Sequence, residues 1–108
     1  MKLILSGMVA AGLMCAGVAM AEDMPAVGKA KCSACHAIEK KVIGPAWRDV
    51  SKKYKGDPEG VNVIVMHVIN GGEFGWKTGT KMPARGLGAN DAEIQKLAAF
   101  IISLENQP

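Results

Sequence analysis

The chain has 108 residues, of which 13 are Lys or Arg and 10 are Asp or Glu, so its formal net charge is +3. This length predicts one small domain, and the nearly balanced charge excludes the strongly basic surface that nucleic-acid-binding proteins need. A core of this size is marginal unless a metal, a disulfide or a bound group strengthens it.

The first 21 residues have the pattern of a secretory signal peptide. A positive start at Lys2 precedes an apolar run over 3–18, and an Ala-Met-Ala cleavage site ends at Ala21. We therefore predict a cleaved signal over 1–21 and a mature domain over 22–108. Because the apolar run is shorter than the roughly 20 residues that cross a bilayer, we expect no stable membrane insertion after cleavage; an uncleaved anchor is the alternative.

Two short helices are predicted in the first half of the mature domain. The first begins near Pro25, with Asp23 as its cap, and runs into the segment around Cys32. The second spans about 46–55, where apolar residues recur every three or four positions. It follows Pro45 directly, and proline is tolerated at the start of a helix but not inside one.

A third helix is predicted over about 59–70, although its β-branched residues would also suit a strand. Its length and the Gly71-Gly72 pair that follows it favour a helix. The segment over 71–89 is then rich in glycine, and so long a loop in a small domain is usually functional.

The last predicted helix has the clearest pattern. Asn90 can cap it and Glu93 follows at capping-box spacing, and the helix should end near Glu105. One face of it is apolar, formed by Ile94, Leu97, Ala98, Ile101 and Leu104. Since no segment alternates as a strand would, the sequence predicts an all-α fold.

Cys32-Ser33-Ala34-Cys35-His36 has the pattern C-x-x-C-H, which attaches a c-type haem. Each thiol adds to one of the two vinyl groups of the porphyrin, and the histidine then becomes the proximal ligand of the iron. A covalent haem also supplies the large apolar centre that this chain, with only 5% aromatic residues, lacks.

Other uses of the two cysteines fit less well. A thioredoxin-type pair needs βαβ units around it, and none is visible. A zinc site needs about four ligands, whereas residues 22–108 contain two cysteines and two histidines. A disulfide across so short a loop would add little stability. We therefore predict one haem c, held covalently by Cys32 and Cys35.

The iron needs a sixth ligand or an open position. Met24 lies too near the attachment site in sequence to reach the opposite face easily, and Met66 is interpreted as a packing residue on the third helix. Met82 lies in the glycine-rich loop, which could cross the distal face, and is the preferred ligand. The alternatives are His67 as the ligand, or Met82 as ordinary filler.

Together these features resemble the short, single-haem class I cytochromes c of bacteria, over essentially the whole mature domain. The resemblance implies a class I cytochrome c fold, with four to five short helices wrapped around one covalent haem. It also implies that His36 and Met82 are the axial metal ligands, and that the protein is an electron carrier of the periplasm and not an enzyme. The segments that carry it are 32–36, Ile43 to Val50, Lys52-Lys53-Tyr54, Asn70-Gly71-Gly72, Gly75-Trp76, Lys81-Met82-Pro83 and 97–104.

The resemblance also implies three further haem contacts. The carbonyl of Pro45 would accept a hydrogen bond from His36, which orients the ligand. The indole N–H of Trp76 would reach a haem propionate, and His67 stands where the family often has Arg or His near a propionate. Arg85 departs from the pattern, because the family often has an Asn there that contacts the methionine sulfur.

Two further departures concern packing and spacing. Val27 stands where the family commonly has an aromatic residue, so we expect a looser contact between the first and last helices. The spacing from Trp76 to Met82 is also one residue longer than is usual.

The partners that the resemblance implies are redox proteins, namely a terminal oxidase, a nitrite reductase or a quinol–cytochrome c reductase. The protein itself is expected to be a monomer. Lysines near the haem segments could form the docking surface, in which case electron-transfer rates fall steeply with salt; they are Lys29, Lys31, Lys40, Lys41, Lys77 and Lys81. A haem-based gas sensor or small peroxidase with a displaceable sixth ligand is the alternative function, and a haem-free CxxC redox protein is a third.

Overall fold

The computed structural model describes residues 24–107. Its α-helices are α1 (Ala26–Lys31), α2 (Trp47–Lys53), α3 (Gly60–Asn70) and α4 (Asp91–Ser103), and a 3-10 turn over Leu104–Asn106 follows α4. Across this range there are no strands, only two isolated β-bridges, His36 with Lys41 and Gly72 with Met82. The all-α fold is thereby confirmed.

Helix α4 is the centre of the core, and α1, α2 and α3 all pack on it. Its start is fixed by the predicted capping box. The side-chain oxygen of Asn90 accepts from the backbone N–H of Glu93 at 2.8 Å, and the Glu93 carboxylate accepts from the N–H of Asn90 at 2.9 Å. The predicted apolar face is buried along its whole length, so α4 offers one continuous surface to the other helices.

The observed helices are shorter than predicted at several ends. Helix α1 begins one residue after Pro25, which occupies its N-cap without a side-chain bond, and Asp23 lies outside the described residues. Helix α3 ends where predicted, because Gly71 takes a φ of 70° that other residues rarely adopt. Met66 is not a packing residue. Met66 is 50% exposed, whereas Ile64 and Val65 of α3 are buried in the core.

Arg48 ties the loop after His36 to the end of the chain. Its guanidinium makes two hydrogen bonds to the Glu39 carboxylate, at 2.8 and 2.7 Å. It also donates to the carbonyl oxygen of Leu104 at 2.7 Å. Because Arg48 belongs to α2, these bonds join three segments and hold the loop beside the core.

Val27 is buried in the core although it stands where an aromatic residue was expected. Phe100 of α4 lies in the same cluster, with the ring of Trp47 edge-on to it at 6.3 Å between centroids. No helix within residues 24–107 is both long enough and apolar enough to span a membrane. The predicted signal over 1–21 lies outside the described residues.

Candidate haem-binding site

A cavity of about 230 Å³ opens between the helices and the two loops that follow α1 and α3. Most of its lining is apolar and includes Ile64, Val68, Leu97 and Ile101 from α3 and α4. All seven site residues predicted from the sequence line it together, namely Cys32, Cys35, His36, Pro45, His67, Trp76 and Met82. Residues that are up to 50 positions apart therefore meet at one apolar space.

The attachment segment is a tight turn at the end of α1. The carbonyl oxygen of Cys32 accepts from the N–H groups of both Cys35 and His36, each at 3.0 Å. Both thiols are free and half-buried at the cavity wall. Burial, with a smaller effect of Cys35, raises the pKa of the Cys32 thiol. The reactive cysteine of thiol–disulfide enzymes has a lowered pKa, so the Cys32 thiol does not resemble it.

His36 presents one ring nitrogen for a metal. Its Nδ1 lies 2.9 Å from the carbonyl oxygen of Pro45. Because a carbonyl can only accept, Nδ1 carries the proton and donates it. Burial lowers the pKa of His36, and the bond to Pro45 opposes this only in part. The ring is therefore neutral, and its Nε2 keeps the lone pair that binds metals.

Gly44 and Trp47 support the His36 ring, and sequence reasoning did not assign them to the site. A Cβ on Gly44 would lie 2.9 Å from both ring nitrogens of His36, so only glycine lets the backbone approach this closely. The indole of Trp47 stacks on the same imidazole, with centroids 5.6 Å apart and planes inclined by 22°. Both lie in the segment Ile43 to Val50, which carries the family resemblance, but no local pattern assigns either of them a contact with His36.

Met82 is held through its backbone. Its N–H donates to the carbonyl of Gly72, and the N–H of Gly72 donates to the carbonyl of Met82, both at 2.9 Å. A Cβ on Gly71 would lie 2.6 Å from the Met82 carbonyl oxygen and 2.7 Å from the nitrogen of Ala84. Glycine at the end of α3 is therefore what lets the chain that bears Met82 lie against that helix.

Groups suited to an anion lie at and beside the cavity wall near Trp76. The ammonium of Lys53 lies 5.3 Å from the centre of the Trp76 ring. Among residues 24–107 nothing accepts the indole N–H of Trp76, which leaves this donor for a bound group. Burial, and then the charge of Lys53, lower the pKa of His67, so His67 is neutral at pH 7.

These residues fit a c-type haem. Two free thiols, a neutral imidazole with an available Nε2, and a methionine line one apolar cavity. The family model described as cytochrome c matches residues 23–105. The chain belongs to the cytochrome c family. As a cytochrome c it carries one haem, attached through Cys32 and Cys35, and it transfers electrons.

Individual relatives agree with this assignment. The chain is 36% identical over 90 residues to cytochrome c-552 of Hydrogenobacter thermophilus, covering 83% of this chain and 88% of the relative. It is 35% identical over 100 residues to cytochrome c-551 of Pseudomonas aeruginosa, covering 92% and 93%. The crystal structure of wild-type Nitrosomonas europaea cytochrome c552 superposes with a TM-score of 0.65 at 31% identity, over 72% of this chain and 94% of that one. The predicted class I cytochrome c fold is confirmed.

The contact between Gly44 and His36 gives a first test. Gly44→Ala should tilt the imidazole, lower the free energy of unfolding by about 1–3 kcal/mol through overpacking, and shift the midpoint potential. The control is Gly56→Ala, at a glycine with nothing within 4 Å of its Cβ position and a φ of 80°. It should lose roughly 1–2 kcal/mol through backbone strain and keep the wild-type potential. A wild-type potential in Gly44→Ala would contradict the supporting role of Gly44.

Proposed function

We propose that this cytochrome c is a periplasmic one-electron shuttle whose iron is bound by His36 on one side and Met82 on the other. The observation that carries the proposal is that both residues line the same cavity as the two cysteines. His36 has its Nδ1 committed to Pro45 and its Nε2 available. Met82 has its backbone fixed at Gly72, and the residue lines the same cavity.

The haem supplies a reversible one-electron couple, and His/Met ligation together with burial favours its ferrous state. The chain contributes an apolar lining that excludes water and two ligands that leave no open coordination position. A site closed in this way binds no substrate at the iron, which supports a carrier and not an enzyme. Pro45 orients His36, and the indole N–H of Trp76 would be available to donate to a haem propionate.

The proposed function requires export of the protein to the periplasm. The family match begins at residue 23, just after the predicted cleavage site, which supports a signal over 1–21 and a cytochrome domain over 22–108. Amino-terminal sequencing of the mature protein tests this boundary and should begin at Glu22. A mature chain that still begins at Met1 would contradict the cleaved signal.

The partners are redox proteins that approach the haem edge of a monomer. Lys31 contributes little to their docking, because its ammonium pairs with Glu93 at 3.2 Å and also bonds the carbonyl of Gly88. The exposed lysines that remain near the haem segments are Lys29, Lys40, Lys41, Lys77 and Lys81. Their charge suits an acidic rim on a terminal oxidase, a nitrite reductase or a quinol–cytochrome c reductase.

Replacing Met82 tests the ligation. Ferric iron bound by a methionine sulfur shows a weak charge-transfer band in the visible spectrum, and Met82→Ala should abolish it and lower the midpoint potential. Met66→Ala is the matched control, because Met66 is an exposed residue of α3, and it should leave band and potential unchanged.

The same spectra separate the alternative functions. A band that survives in Met82→Ala would overturn the assignment of this ligand. A wild-type protein without the band, whose ferrous form binds carbon monoxide or whose ferric form turns over peroxide, would instead be a gas sensor or small peroxidase.

A pH titration tests whether His67 lies near a propionate. Burial and then Lys53 lower the pKa of His67, whereas a neighbouring propionate would raise this pKa by stabilising the charged ring. Protonation adds a positive charge that favours the ferrous state, so the potential should rise as the pH falls through the pKa of His67 in the haem-bound protein. The potential of His67→Ala should lack this rise. Identical curves of potential against pH for the wild type and His67→Ala would contradict a position of His67 near a propionate.

A further inference from the structure

The loop that leads to Met82 is strained at Phe74, whose φ is 61°. Large side chains rarely adopt this left-handed conformation, because the Cβ atom comes too close to the following carbonyl oxygen. Such strain persists only where the surrounding structure imposes it. The contacts of the Phe74 ring must therefore stabilise a conformation that the backbone alone disfavours.

The ring of Phe74 lies against His67 and Gly72. On one side it stacks on the imidazole of His67, with centroids 3.7 Å apart and planes inclined by 10°. It also lies against Gly72, where an added Cβ would be 3.1 Å from Cζ of Phe74. His67 belongs to the last turn of α3, so the ring joins the start of the loop to this helix.

Gly72 is also the residue that exchanges two backbone hydrogen bonds with Met82. The Phe74 ring is thus packed against the point at which the backbone of Met82 is held. We propose that Phe74 is a positioning residue that keeps the Met82 loop closed and thereby limits how readily the sixth ligand leaves the iron. This inference rests on the His36 and Met82 ligation proposed above.

The two sides of Met82 are anchored unequally. On the carboxyl side, the N–H of Arg85 donates to the carbonyl of Val68 at 2.6 Å, and its guanidinium bonds the Asp91 carboxylate at 2.7 Å. On the amino side, the hydrogen bonds of residues 73–81 within the described chain all stay inside that segment. The ring contacts of Phe74 and Trp76 are what connect it to the helices.

Binding of imidazole to the ferric protein measures this closure. Imidazole binds the iron only after the methionine has left, so its rate at saturating concentration is the rate of loop opening. Phe74→Leu removes the stacked ring but keeps a large side chain at the φ of 61°, so the backbone strain stays the same. We expect the opening rate to rise on the order of five- to tenfold, since one aromatic stack is lost. Phe74→Tyr keeps the ring and should open at the wild-type rate.

The outcomes distinguish this inference from the proposed ligation. If the wild-type protein lacks the methionine charge-transfer band, both are overturned. If the band is present but Phe74→Leu opens no faster than wild type, the role of Phe74 alone is overturned, because the ring then does not hold the loop closed. Should Phe74→Leu fail to incorporate haem, Phe74→Met decides by the same rate, since it also keeps apolar volume without a ring that can stack.

Discussion

The hydrogen bond from Nδ1 of His36 to the carbonyl oxygen of Pro45 is the contact on which the site depends. Because the carbonyl can only accept, this bond fixes the proton on Nδ1 and leaves the lone pair on Nε2. Gly44 and Trp47 then fix the plane of the ring. Trp47 meets Phe100 edge-on in the core, so the orientation of the ligand is set by the packing of α2 against α4.

Met82 is positioned by another route and from another element. Its anchors are backbone hydrogen bonds to Gly72 and the close approach of Gly71 at the end of α3. The supports of both side chains reach α4, that of His36 through Trp47 and that of Met82 through α3. The start of α4 is itself fixed by the capping box at Asn90. The two proposed ligands are therefore held by independent local contacts on one shared framework.

The features that could be predicted from the sequence are those set by nearby residues. The attachment motif and the capping box of α4 depend on spacings of a few residues, and both stand as expected. The approach of Gly44 to His36 depends on tertiary packing and has no local pattern. The prediction that Met66 packs in the core was wrong because α3 is apolar on several faces, and only the position of α4 decides which face is buried. The Pro45 contact came from family resemblance alone.

The nature of these anchors explains why the site suits electron transfer. The iron changes its charge by one in each cycle, and a ligand held by an ion pair would feel that change directly. The described anchors of His36 and Met82 are instead hydrogen bonds between uncharged groups and close packing against glycine. Their geometry has little reason to differ between oxidation states. A site that needs little rearrangement on gaining an electron exchanges it readily, and the ligation proposed for His36 and Met82 would leave the iron no open position.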